Sequence, residues 1–192
     1  MSRDVCRAHP AWTVVGVDLD GDVLRTARAW TGDEHLRAAF YRADLTRSVG
    51  TGLYDVVLAM ECLAEIPDDT AALTRLAEAL RPGGLLVAHV LHANWQPVLR
   101  SSRQDWEREV RRGYDRDSFL GMLDAAGFEV ERVAETTRGL AQLAGDIGQR
   151  FESTPPVAKA PLLPVMMAAV GLDRAGVTWG PSRGLFVEAT RR

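Results

Sequence analysis

Residues 13–29 read TVVGVDLDGDVLRTARA, and their order decides the fold. Val14, Val15 and Val17 make a short apolar run of the kind that fits a strand buried on both faces, with Asp18 at its carboxyl end. A helix is predicted directly afterwards. Asp20 can cap it, Asp22 suits its first turn, and Val23, Leu24 and Ala27 fall on one face. A strand, an acid at its tip and then a helix is how an open parallel sheet offers a carboxylate to a ribose, although that unit ordinarily comes second in its fold.

Outward from this unit, strands and helices alternate. A second strand is predicted over residues 38–43, ending at Asp44, and a stronger one at YDVVLAM, residues 54–60. Pro67, Asp68 and Asp69 start a helix that returns Leu73, Leu76, Ala77 and Leu80 on one side. It stops at Arg81-Pro82-Gly83-Gly84, after which LLVAHV, residues 85–90, reads as a strand. Asp115 caps a helix carrying Phe119, Leu120, Met122 and Leu123 to Gly127, and FEVERV (128–133) and GLFVEA (184–189) read as strands. This alternation predicts an α/β fold, a mostly parallel sheet with helices on both faces and its ligand at the strands' carboxyl ends. Residues 91–113 are polar, aromatic and arginine-rich, with a helical tendency near Trp106, and are expected to form a lid or insertion. Residues 140–183, with Pro155, Pro156, Pro161, Pro164 and a short apolar helix, are expected to form a helical insertion on the substrate side.

A chain of 192 residues, 46% of them hydrophobic, can bury the core of one domain, so residues 1–192 are expected to be a single domain. A net charge of -3 offers no basic face, and no nucleic-acid partner is expected. Arg108, Arg111 and Arg112 are interrupted by Glu107 and Glu109 and read as a solvated helix face. Cys6 and Cys62 stand far apart and suit a reducing cytoplasm, the expected location. The N-terminus reaches Arg3, Asp4 and Arg7 without the apolar core of a signal peptide. The longest apolar stretch, 160–172, is too short for a membrane span and carries Pro161 and Pro164.

In their order and spacing these pieces resemble the class I S-adenosylmethionine-dependent methyltransferases. The matching stretches are VVGVDLD (14–20), ADL (43–45), YDVVLAMECLAEIPDD (54–69), LAEALRPGGLLVAHV (76–90) and GYDRDSFLGMLDAAGFEVE (113–131). The resemblance implies a Rossmann-like class I methyltransferase fold, S-adenosylmethionine as cofactor and a small-molecule methyl acceptor. It also implies that Asp18 accepts from the two ribose hydroxyls, that Leu19 lies against adenine and that Asp44 accepts from the adenine amino group. Leu45 then closes the adenine pocket, and Ala59 and Met60 border the methionine half. Taken alone, Asp18 and Asp20 can also serve as helix caps and Asp44 can simply end a strand.

What the resemblance leads one to expect before VVGVDLD is a strand, a glycine-rich loop and a helix, about thirty residues in all. Only twelve residues precede Thr13, and RDVCRAHP (3–10) resembles the tail of that helix. GTG at 50–52 precedes a strand and reads as a linker. In this fold the first strand is central, so its absence leaves two edges without a partner, at roughly 1 to 3 kcal/mol for each backbone group held unpaired away from water. Three arrangements are open: the strands close on each other, a homodimer mate or other partner chain completes the sheet, or the chain belongs to a longer product, which is the favoured expectation.

Methyl transfer from a sulfonium is an in-line displacement with an activated donor, so the protein chiefly aligns the acceptor and excludes water. A base matters when the accepting atom carries a proton of high pKa. The catalytic residue is not identified by the sequence; the candidates are His89, His92, Tyr114 and Glu61, with packed or solvent-facing roles competing for both histidines. His89 and His92 lie in a strand-to-loop passage with no third ligand evident, so no metal is expected. Related methyltransferases often show a histidine where Glu65 stands. PLLPVMMAAVGL (161–172) reads first as a core-packing helix and second as the lining of a hydrophobic pocket for a lipid, quinone-like or polyketide-like acceptor. The expected function is S-adenosylmethionine-dependent methyl transfer to a small hydrophobic molecule. The alternative is a non-catalytic, methyltransferase-like assembly partner that has lost cofactor binding. A nicotinamide-dependent oxidoreductase leaves RPGG and AAGFEV unexplained.

Overall fold

The computed structural model describes residues 1–47, 49–96, 110–150, 163–177, 179–180 and 182–192. Much of the expected lid, with Trp106 and Arg108, and the proline-rich residues 151–162 therefore lie outside the described residues. Helix α1 (Ser2–Ala8) covers most of RDVCRAHP. Strand β1 (Val14–Asp18) follows and leads into α2 (Gly21–Gly32), whose cap Asp20 accepts from the Asp22 amide at 2.8 Å. Strand β2 (Ala38–Arg42) lies parallel to β1, from Val14 against Ala38 to Asp18 against Arg42. The glycine inside VVGVD has a packing reason, since a Cβ at Gly16 would come within 2.5 Å of the Phe40 ring. Phe40 lies over it and is buried.

The second half contains β3 (Tyr54–Met60), a 3-10 turn at Leu63–Glu65, α3 (Asp69–Ala79) and β4 (Leu80–Leu91). It continues through α4 (Arg116–Ala125), β5 (Phe128–Thr136), α5 (Gly139–Arg150), α6 (Leu163–Arg174) and β6 (Gly184–Arg191). Its four strands lie in the order β3-β4-β6-β5. β3 and β4 are parallel, and β6 runs antiparallel to both of its neighbours. The fold is α/β as expected, with a mixed second sheet. Leu73 of α3, Leu86 of β4, Phe119 and Leu123 of α4, and Phe128 of β5 are wholly buried and form its core with Val187 of β6. Each such Leu or Phe contributes about 1.5 to 3 kcal/mol by leaving water.

Among the described residues the strands form two sheets, β1-β2 and the four-stranded one, so of the three arrangements left open the direct closure of β1 on β3 is not the one found. Three expectations need correction. The apolar run of β1 is only half-buried, because among the described residues β1 has a strand on one side alone. The RPGG corner lies inside β4: Leu80 already pairs with Tyr54, and the register jumps to Val56 against Leu85 across a bulge where Gly83 takes φ +72. Leu80, assigned to the helix face by its spacing, is therefore a strand residue. Finally, α6 is not a core helix. It packs on α5 but leaves most of its apolar side chains in solvent, Met167 being 72% exposed.

These burials predict opposite outcomes at two apolar positions. Phe119→Ala should lose about 3 to 5 kcal/mol of unfolding free energy, whereas Met167→Ala should stay within about 0.5 kcal/mol of the parent. Urea unfolding followed by circular dichroism distinguishes them.

Candidate functional site

Between β1 and β3 lies a cleft of about 420 Å³. Asp18 at the tip of β1, Leu45 beyond β2, and Ala59 and Cys62 at the end of β3 all line it, and Asp18 is its only charged side chain among the described residues. The Asp18 Oδ1 accepts from the Asp20 amide at 2.8 Å, which orients the carboxylate while Oδ2 has no partner among the described residues. Burial pushes the Cys62 thiol above its ordinary value, so it stays protonated and apolar in character. A carboxylate with one open oxygen in an otherwise apolar cleft fits a sugar diol carrying a planar base. The cleft thus brings together Asp18, Leu45 and Ala59 of the six residues expected to hold a cofactor. It does not include Asp44, Leu19 or Met60. Asp44 makes a local turn, its Oδ1 accepting from the Thr46 amide at 2.9 Å and the Thr46 hydroxyl at 2.7 Å. These hydrogen bonds, with Arg47 nearby, hold its carboxyl below the usual value of 3.8. Leu19 and Met60 are exposed.

A second group gathers where β3, β4 and β5 end and β6 begins. Glu61 follows β3 with φ +54, a conformation that holds strain in a residue other than glycine. Its amide donates to the His89 carbonyl at 2.8 Å. The turn brings Glu61 Oε1 within 3.2 Å of His89 Nδ1 and Oε2 within 3.7 Å of the Arg183 guanidinium. On the other side of the ring, His89 Nε2 lies 2.8 Å from the Thr136 hydroxyl. With its proton on Nδ1, the imidazole donates to Glu61 and accepts from Thr136, so both ring nitrogens are oriented. The hydrogen bond from His89 holds the Glu61 carboxyl below the usual 4.5, against the opposing effect of partial burial and with help from Arg183. Gly184 must be glycine here, because a Cβ would approach His89 Nε2 to 2.9 Å and the Val90 carbonyl to 2.5 Å.

His92 does not join this group; its Nδ1 accepts from the Asn94 amide at 3.3 Å, beyond the end of β4. Tyr114 is buried, and its hydroxyl donates to Asp69 Oδ2 at 2.7 Å, with Arg111 3.1 Å from the same oxygen. Burial first and the Asp69 carboxylate second raise the Tyr114 phenol well above its ordinary value. That phenol is committed to holding α3 against the residues before α4. Thr136 and Arg183 were not singled out in the sequence. Both reach His89 and Glu61 only because β6 inserts between β4 and β5, a pairing across about a hundred residues that no local pattern marks.

A family model described as "Methyltransferase domain" matches residues 3–133. A ubiquinone biosynthesis O-methyltransferase of Nitrobacter winogradskyi is 31% identical over 133 residues, covering 59% of this chain and 50% of that protein. One from a Bradyrhizobium species is 32% identical over 83 residues, 43% of this chain and 33% of that protein. The chain thus spans half or less of the length of these curated relatives. Among solved structures, an S-adenosylmethionine-dependent methyltransferase from Mesorhizobium loti superposes with a TM-score of 0.63 at 21% identity, covering 98% of this chain and 84% of that one. Phosphoethanolamine N-methyltransferase 2 of Haemonchus contortus, in complex with S-adenosyl-L-methionine, gives 0.64 at 17% identity over 93% of this chain and 43% of that one. At these identities the structures establish the fold.

The Glu61–His89 pair predicts an acid-side signature. A carboxyl held low contributes stability above its unfolded value of 4.5 and loses that contribution as pH falls through its folded value. The advantage of the parent over Glu61→Gln should therefore be full above about pH 5 and shrink steadily below 4.5, measured by urea unfolding at each pH. An advantage that does not change across that window contradicts the pairing.

Proposed function

Since the chain belongs to the methyltransferase-domain family, with the class I S-adenosylmethionine-dependent methyltransferase fold, we propose that it methylates a hydroxyl group on a small, apolar, quinone-like phenol. The observation that carries this reading is the Glu61–His89 pair at the ends of β3 and β4, one turn beyond the Ala59 wall of the Asp18 cleft. S-adenosylmethionine, when bound, supplies an electrophilic methyl group on sulfur. Asp18 would hold its ribose, while Leu45 and Ala59 would shelter the base and the adjoining chain from water.

The remaining chemistry falls to the polar group. A phenol has an ordinary pKa of about 10, so its oxygen is a poor nucleophile until the proton leaves. His89 is placed to take that proton at Nε2, with the acceptor hydroxyl displacing or adding to the Thr136 contact. Glu61 on Nδ1 and its neighbour Arg183 set the tautomer, and the Glu61 carboxylate stabilises the imidazolium that forms. The acceptor then lies between this pair and the α5–α6 helices, where α5 is tied to the residues after β4 by Gln142 donating to the Gln96 carbonyl at 2.5 Å. Several apolar side chains of α6 are exposed, which suits an apolar acceptor. No helix among the described residues is long and apolar enough to cross a membrane. The cytoplasmic location and single-domain organisation belong to the same reading. Neither the cleft nor the pair supports a non-catalytic assembly partner.

Calorimetric titration with S-adenosylmethionine and transfer of a labelled methyl group to simple catechols test the reading. Asp18→Ala should weaken cofactor binding at least tenfold. His89→Gln should leave cofactor binding within a factor of about two and lower kcat by roughly 10²-fold, as for loss of a general base. Unchanged kcat in His89→Gln would remove the base from the mechanism, and cofactor binding indifferent to Asp18→Ala would move the nucleoside elsewhere.

A further inference from the structure

The imidazole of His89 is held between two turns of the same unusual kind. Glu61 leaves β3 at φ +54 and Thr137 leaves β5 at φ +49, both in the left-handed region without being glycine. Such conformations persist only where the surrounding structure holds them, and they gather at functional sites. The first turn sets Glu61 against Nδ1, and the second follows Thr136, whose hydroxyl stands 2.8 Å from Nε2. Thr136 is fixed from behind. It pairs with Gly184 across β5 and β6, and the Arg183 amide donates to the carbonyls of both Thr136 and Thr137, at 3.1 and 2.9 Å. Gly184 in turn lies against the ring, since a Cβ there would come within 3.0 Å of Cε1 as well as 2.9 Å of Nε2. Nε2 is therefore walled by backbone on one side and already carries Thr136 as its hydrogen-bond partner, in a side chain only 13% exposed.

An imidazole nitrogen without a proton has one lone pair, and here the Thr136 hydroxyl donates to it. A hydroxyl has two lone pairs of its own, and Thr136 Oγ1 has no other partner among the described residues. An acceptor reaching this site thus meets an occupied base and an open oxygen beside it. Direct contact with Nε2 requires the Thr136 hydroxyl to swing away and give up its 2.8 Å bond while its backbone stays tied to Arg183. Contact with Oγ1 leaves that bond in place. We propose that Thr136 is a catalytic residue, the relay through which the proton of the acceptor hydroxyl reaches His89. The inference rests on the reading of function given above and decides which atom the acceptor touches. The O–H bond of the acceptor breaks and its proton passes to Oγ1, as the Thr136 hydroxyl's own proton passes to His89 Nε2. The acceptor oxygen keeps the electron pair and bonds with it to the methyl carbon, whose bond to sulfur breaks with its pair left on sulfur. The imidazolium, balanced by Glu61, returns its proton to solvent through the same hydroxyl once the product has left.

Thr136→Val keeps the shape of the side chain and removes the relay, whereas Thr136→Ser keeps the relay. Two acceptors separate a relay from a structural role. Phenol keeps its proton at about pH 8, while 4-nitrophenol is largely ionised there and has no proton to pass on. On phenol, Thr136→Val should lower kcat by roughly 10²-fold and Thr136→Ser by no more than about threefold, with the loss in Thr136→Val at least about tenfold smaller on 4-nitrophenol. Nitrogen-15 NMR of the histidine-labelled chain reads the contact without any methyl transfer, the His89 resonances being assigned by their loss in His89→Gln. Thr136→Val should move the His89 Nε2 resonance, and phenol bound with no methyl donor present should leave it in place. If bound phenol moves that resonance as Thr136→Val does, the acceptor displaces Thr136 and the relay is overturned. Equal losses on the two acceptors, or no binding of phenol, overturn it as well. A loss of kcat in His89→Gln but not in Thr136→Val overturns the relay alone, whereas no loss in either removes the base and the relay together.

Discussion

A β-strand is buried cheaply only when both of its edges find hydrogen-bond partners, and among the described residues β1 and β3 each find one. Their facing edges keep the molecule in two parts. The β1-β2 pair is held by α1, α2 and the contact of Phe40 with Gly16, while the four-stranded sheet holds the fully buried core around Phe119, Phe128 and Leu86. The cleft between the parts follows from the same fact. It is apolar because the side chains along it belong to strands and helices patterned for burial, and among the described residues no strand lies between β1 and β3.

The candidate chemistry is distributed across that division. Asp18 stands on the smaller sheet, and Glu61, His89, Thr136 and Arg183 stand on the larger. Ala59 belongs to the larger sheet but faces the cleft, so β3 is the strand that serves both groups. The left-handed turn at Glu61 matters for this reason. It directs the backbone out of β3 at the point where one side meets the cleft and the other meets the imidazole, and its amide is tied to the His89 carbonyl.

Much of this was legible in the sequence because it is local. Asp20 and Asp115 cap the helices they are expected to cap, Asp68 caps the helix expected to start at Pro67 to Asp69, and Gly127, at φ +91, follows the end of α4. Capping and turn chemistry act over three or four residues, so the order of residues is sufficient to reveal them. The tip of VVGVD was legible for the same reason, and so was the strand YDVVLAM. Pairings between distant segments were not. The place of β6 between β4 and β5 brings Arg183 to Glu61, and nothing near Arg183 announces it. The exposure of α6 is not legible, because an apolar segment at helical spacing packs inward in most proteins and composition does not say which face finds a neighbour. The RPGG corner has the local chemistry of a stop between elements, whereas β4 pairs on both sides of it.

Residue-resolved amide exchange on the unmodified chain tests the divided sheet most directly. In a strand, alternate amides point to opposite edges. The account predicts alternating fast and slow exchange along β1 and β3, with the fast amides on the cleft side, and uniformly slow exchange along β4 and β6. Uniformly slow exchange along all four strands would contradict it, because every edge of β1 and β3 would then already have a partner.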